Sequence, residues 1–128
     1  MSEIRKGYLY TKEHEWVKVD GDFAFLGITD YAQNELGEIV YVEYEKELED
    51  SLEVGEEFAS LDSTKSASPI YSPVNGVVVE LNEMIEDDSE IINESPYDDG
   101  WIMKVKLSEN NFSSLMDSEK YEEFLKTL

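Results

Sequence analysis

The residues with most chemical promise lie between Phe58 and Ile70. There Phe58-Ala59-Ser60-Leu61-Asp62-Ser63-Thr64-Lys65-Ser66-Ala67-Ser68-Pro69-Ile70 sets one lysine among small and hydroxylated neighbours, between two apolar anchors. An ε-amine so placed could be a modification site: Asp62 and the Ser/Thr residues suit a tight turn, and small neighbours leave the nitrogen accessible to a modifying enzyme. On spacing alone, this is also what an ordinary exposed loop lysine looks like. Other chemistry finds little material. The absence of cysteine removes disulfides, thiolate nucleophiles and thiolate metal sites. The one histidine, His14, stands between Glu13 and Glu15 on a strand-like segment, where neighbours point to opposite faces, so a structural or surface role is expected rather than metal binding. Glu86-Asp87-Asp88 and Asp98-Asp99-Gly100 lack the alternating oxygen ligands and closing glutamate of a calcium loop and read as solvated turns. Neither a metal site nor a catalytic residue is expected.

The elements that must position Lys65 are mostly strands. Trp16-Val17-Lys18-Val19 and Phe23 to Ile28 are β-rich and joined by Asp20-Gly21, which predicts a tight hairpin. A short helix is expected next, capped by Asp30 with Gln33 three residues on and ended by Gly37. Ile39-Val40-Tyr41-Val42 reads as a buried strand, and the acidic stretches Glu43 to Glu53 and Glu83 to Glu90 read as solvated loops. Segments 54–67 and 70–81 suggest two arms of a hairpin-like pair meeting near Lys65, with Asn75-Gly76 a further hairpin signal. Pro69 cannot donate a ladder bond and restricts Ser68 to extended conformations, which suits a strand starting there. Pro96 to Gly100 forms a turn cluster before a strand in which Trp101, Met103, Val105 and Leu107 face one way. Trp16 and Trp101 are expected to anchor the core. Tyr121, Phe124, Leu125 and Leu128 recur at helical spacing, predicting a C-terminal helix over about 118–127 with Ser118 as its N-cap. Short strands with brief helices point to a mainly β sandwich or flattened barrel.

Composition sets the outer bounds. A chain of 128 residues with 41% apolar and 12% aromatic residues can bury a core, and a single domain over 1–128 is expected. Asp and Glu number 31 against 10 Lys and Arg, a net charge of -21, which disfavours binding to nucleic acid or to anionic membrane surfaces. No apolar run approaches the roughly 18 residues needed to span a bilayer. Partners are expected to present basic patches. Met1 to Tyr8 carries Arg5 and Lys6 without a signal-peptide apolar core, so a cytoplasmic location is expected, or the mitochondrial matrix if a transit peptide has been removed.

Six stretches, taken together and in order, resemble the H protein family of the glycine cleavage system. They are Tyr10-Thr11-Lys12-Glu13-His14-Glu15-Trp16-Val17, Gly27-Ile28-Thr29-Asp30-Tyr31-Ala32-Gln33, Leu36-Gly37-Glu38-Ile39-Val40, the Lys65 block, Tyr71-Ser72-Pro73-Val74-Asn75-Gly76, and Asn93-Glu94-Ser95-Pro96-Tyr97-Asp98-Asp99-Gly100-Trp101. The resemblance implies a lipoyl-type barrel-sandwich hybrid with Lys65 at a hairpin tip, joined by an amide to lipoic acid. It implies a non-catalytic carrier that takes an aminomethyl group from a pyridoxal-phosphate glycine decarboxylase and passes the one-carbon unit to a tetrahydrofolate-dependent aminomethyltransferase. A flavin-containing dihydrolipoyl dehydrogenase then reoxidises the dithiol, and a lipoyl-attaching enzyme installs the arm. Glu15, with Ser68 beside it, would line a cleft that shelters the carried amine, and Asp62, Ser63 and Thr64 would form the turn read by the attaching enzyme.

The match has departures. The family usually shows Glu-Ser-Val-Lys-Ala and an acidic residue shortly after, where this chain has Asp62-Ser63-Thr64-Lys65-Ser66 and then Pro69. Asp62 keeps the charge one methylene shorter, and Thr64 keeps the shape of valine but not its polarity, so attachment is expected to survive. Contacts with successive partners must be transient, and a monomer is expected. Biotin carriage on the same fold is conceivable, and two other readings stay open: a related carrier that relays lipoate to other complexes or serves another pathway, and a carboxylate-based hydrolase or metal-binding protein. The methionines that flank biotinyl lysine are missing around Lys65. The last reading predicts that Lys65→Arg retains activity.

Overall fold

The computed structural model describes residues 2–128. Its elements run β1 (Leu9–Tyr10), β2 (Glu15–Asp20), β3 (Phe23–Ile28), α1 (Asp30–Leu36), β4 (Ile39–Tyr44), β5 (Ser51–Leu52), β6 (Glu57–Ser63), β7 (Ala67–Tyr71), β8 (Gly76–Leu81), α2 (Glu83–Asp87), α3 (Ile91–Glu94), β9 (Met103–Leu107) and α4 (Ser118–Leu125). β2 and β3 form the expected hairpin, pairing from Glu15↔Ile28 to Asp20↔Phe23. One sheet has the order β1-β2-β3-β9-β8-β5 and the other β4-β6-β7, with every pairing antiparallel. Alternating residues of both sheets, among them Val17, Leu26, Val42, Phe58, Leu61, Val78 and Val105, meet in a common core. A second, aromatic cluster joins Tyr8, Tyr10, Trp16, Tyr97 and Tyr121, with Tyr121 of α4 stacked on Tyr10 at 4.5 Å between ring centres.

Several local expectations are corrected. The N-cap of α1 is Thr29, whose Oγ1 accepts from Ala32 N–H at 3.2 Å, while Asp30 accepts from the Gln33 amide at 2.7 Å. The N-cap of α4 is Asp117, not Ser118, and the helix ends at Leu125. Both pairs of neighbours are good cap formers, so residue type alone did not separate them. β4 is only partly buried: a register shift between Ile39 and Tyr41 turns Val40 and Tyr41 outward. The stretch 43–53 includes β5, where Leu52 is buried, and 83–90 holds α2, capped by Asn82 and anchored by buried Ile85. One buried apolar residue, Ile85, in little more than a single turn is too little periodicity to read. Trp101 lies just outside β9 and packs edge-on against Phe25.

Asn75-Gly76 does not close a hairpin, because β7 lies in the small sheet and β8 in the large one. The arms around Lys65 are therefore β6 and β7, and residues 76–81 instead pair with β9 and β5. The chain crosses between layers at Ser72-Pro73-Val74, where Ser72 Oγ donates to Val74 O at 2.7 Å. Asn75 Oδ1 accepts from Val54 N–H at 2.8 Å, tying the crossover to the loop before β6. At Gly76 an added Cβ would collide with the Lys106 carbonyl of β9, so glycine serves close strand approach there.

Candidate functional site

β6 and β7 run antiparallel with Asp62 opposite Ala67, leaving Thr64, Lys65 and Ser66 to turn the chain. Ser63 staples that turn. Its Oγ accepts from the backbone N–H of Lys65 and of Ser66, each at 3.1 Å, and its own N–H donates to Ser66 O at 2.8 Å. Lys65 is exposed at the tip, with exposed Thr64 and Ser66 on either side. Asp62 is half-buried at the end of β6, in register with Tyr41 of β4. Pro69 falls within β7, an edge strand of the three-stranded sheet, where its missing N–H costs no shared ladder bond. Of the three turn residues singled out in the sequence, Ser63 shapes the loop and Thr64 ties it to the α1–β4 turn through its N–H, 3.0 Å from Glu38 O.

Glu15 and Ser68 come together. Both line a cleft of about 160 Å³ bounded by the turn before β2, by α1 and by β7, with Glu13, His14, Glu35 and Pro69 also on its walls. Lys65 lies outside the cleft, but Ser68 is only three residues along the chain, a reach of at most about 10 Å. Glu15 is 3% exposed. Its Oε1 accepts from the Thr11 hydroxyl at 2.7 Å and its Oε2 from Tyr71 N–H at 3.3 Å. Burial pushes its carboxyl up to about 7, with those two bonds and nearby Glu13 as smaller influences. Near neutrality Glu15 is thus poised to be either neutral or charged, and a cation in the cleft would draw it to the charged form.

His14 departs from the strand expected for it. Its φ of 68° places it in a left-handed turn, where Nδ1 lies 2.9 Å from the Tyr121 hydroxyl, and burial lowers its affinity for a proton. The same hydroxyl lies 2.8 Å from Thr29 Oγ1, so α4 braces both the cleft wall and the start of α1. Among the described residues no group of three or more His, Asp or Glu side chains is disposed to hold a metal ion. No helix there is long and apolar enough to cross a membrane. Sequence reasoning missed the supports: Thr11 and Tyr71 for Glu15, Tyr121 for His14, and Glu38 for the hairpin. Most contacts join distant segments, and only the placement of Thr11 four residues before Glu15 offered a local signal.

Comparison with known proteins bears on this arrangement. The family described as Glycine cleavage H-protein matches residues 8–128. A glycine cleavage system H protein from Staphylococcus carnosus (strain TM300) is 51% identical over 117 residues, spanning 91% of this chain and 92% of the relative. The crystal structure of a glycine cleavage system H protein from Mycobacterium marinum superposes with a TM-score of 0.87 at 30% identity, covering 98% of this chain and 100% of that one. The fold is accordingly the mainly β, lipoyl-type barrel-sandwich hybrid that the resemblance implied. With matches of this extent in both sequence and structure, the chain belongs to the glycine cleavage H-protein family.

Proposed function

We propose that this chain is the lipoyl carrier of the glycine cleavage system and that Lys65 is its attachment residue. The observation that carries the reading is the exposed amine of Lys65 on a Ser63-stapled hairpin tip, in a chain of this family. The residues present suit lipoic acid. The nitrogen is open to acylation, and the cleft a few residues away combines apolar Ile28, Leu36 and Ile70 with the carboxyl of Glu15. That mixture matches an apolar arm ending in an amine. When bound, lipoic acid supplies a strained disulfide that takes up the aminomethyl group of glycine together with the electrons released.

The chain's own residues contribute placement and shelter. Ser63 fixes the backbone from which the arm departs. The cleft walls exclude water from a docked amine, and Glu15 holds or gives up one proton there as the charge of its neighbour requires. An absence of thiols on the carrier prevents exchange with the arm's own disulfide. The partners in this reading are glycine decarboxylase, aminomethyltransferase, dihydrolipoyl dehydrogenase and the lipoyl-attaching enzyme. In a glycine decarboxylase exchange assay, the modified parent should support exchange of carbon dioxide into glycine. Lys65→Arg should fall to background with an unchanged circular dichroism spectrum, and exchange retained by Lys65→Arg would refute the assignment.

A further inference from the structure

Lys65 does not stand clear of the scaffold. A Cβ placed on Gly37 would lie 3.3 Å from Lys65 Cε and 3.7 Å from Nζ, so the lysine stem rests on the bare turn between α1 and β4. The φ of 81° at Gly37 also favours glycine there. The hairpin is tied to this same turn by the bond from Thr64 N–H to Glu38 O at 3.0 Å. One side chain holds the turn in shape. Asn93 of α3 donates from Nδ2 to Gly37 O at 2.8 Å and to Gln33 Oε1 at 3.0 Å, and its Oδ1 accepts from Ile39 N–H at 2.9 Å. Ser89 completes the seat by donating from Oγ to Ile39 O at 2.9 Å. The backbone on both sides of Glu38 is thereby fixed from α3 and the loop before it.

From this geometry we infer that Asn93 is a positioning residue for acylation of Lys65, acting through the Gly37–Ile39 turn on which the lysine and its hairpin rest. The inference depends on the reading of Lys65 as the acylated residue. In that step the Lys65 ammonium first gives up a proton. Its lone pair attacks the carbonyl carbon of an activated lipoyl group, an acyl-phosphate anhydride brought by the attaching enzyme. The C–N bond forms, the C–O bond to phosphate breaks, the phosphate leaves with that electron pair, and the nitrogen loses a second proton to become a neutral amide. Asn93 takes no part in these bond changes. It restricts where the nitrogen is presented, and a misplaced nucleophile loses rate in the bond-forming step more than in recognition.

The test is steady-state acylation by a lipoyl-attaching enzyme, with lipoate and ATP, of the full chain and its variants. Asn93→Ala should lower kcat about tenfold while KM stays within about twofold, since the strand surfaces flanking Lys65 are retained. The Thr64 amide should also lose protection from hydrogen exchange. Val78→Ala, a core truncation away from the seat, serves as the control for general destabilisation and should keep both kcat and Thr64 protection. A kcat for folded Asn93→Ala within twofold of the parent, or an equal loss in Val78→Ala, would overturn the inference. Asn93→Asp keeps the acceptor for Ile39 but sets a carboxylate against the Gly37 carbonyl, and it gives the same readout should the alanine variant not fold. A parent chain that is never acylated at Lys65 would refute the carrier reading itself.

Discussion

Glu15 concentrates the local chemistry in one carboxyl. Its folded value of about 7 stands above the ordinary 4.5 because burial penalises its charge. Between those pH values the folded chain keeps a proton that the unfolded chain has lost, so this group makes stability fall as pH rises from 4.5 to 7 and remain lower above that. The shift corresponds to on the order of 3 kcal/mol. Glu15→Gln, which keeps the shape without the charge, should therefore match the parent near pH 4 and exceed it by about 3 kcal/mol at pH 8 in urea unfolding. Equal stabilities at both pH values would mean that Glu15 is not held in a desolvated site. On the proposed carrier reading the same substitution would also remove the only buried carboxylate among the cleft residues, and with it the charge proposed to hold a docked amine.

At the scale of elements, Asp117 and Ser118 offer a clean comparison. Asp117 accepts from Lys120 N–H at 2.9 Å as the cap of α4, while Ser118 is the first helical residue. Asp117→Ala should cost about 1 kcal/mol of stability, and Ser118→Ala no more than about 0.5 kcal/mol, measured by thermal or denaturant unfolding. The reverse ranking would place the helix start one residue later. This one-residue choice also marks how far the elements were legible in the sequence. The β2–β3 hairpin was readable because the alternation of Val17 and Leu26 and the turn signal at Gly21 are local. The crossover at Ser72 to Gly76 was not, because Asn75-Gly76 carries a hairpin signal while the partner of β8 is chosen by packing against β9, far along the chain. The site divides in the same way: Lys65 was conspicuous from its neighbours, whereas the seat made by Gly37, Glu38 and Asn93 exists only once α1, α3 and the hairpin are folded together.

Across the whole molecule, a scaffold of two sheets presents one lysine at an exposed tip, beside a sheltered cleft and on a surface with net charge -21. Acylation of Lys65 would remove one positive charge and take the formal net from -21 to -22, a change too small to alter the sign of the long-range field. The core and α4 hold the frame and the α1–β4 turn sets the tip, so in the proposed carrier only the attached arm would need to move. The proposed carrier role requires Lys65 to be the sole point of attachment. The most direct measurement is intact-mass analysis after co-expression with a lipoyl-attaching enzyme, followed by peptide mapping. A single lipoyl amide increment confined to the peptide containing Lys65 is the predicted result, and an unmodified chain or an increment on any other lysine would contradict it.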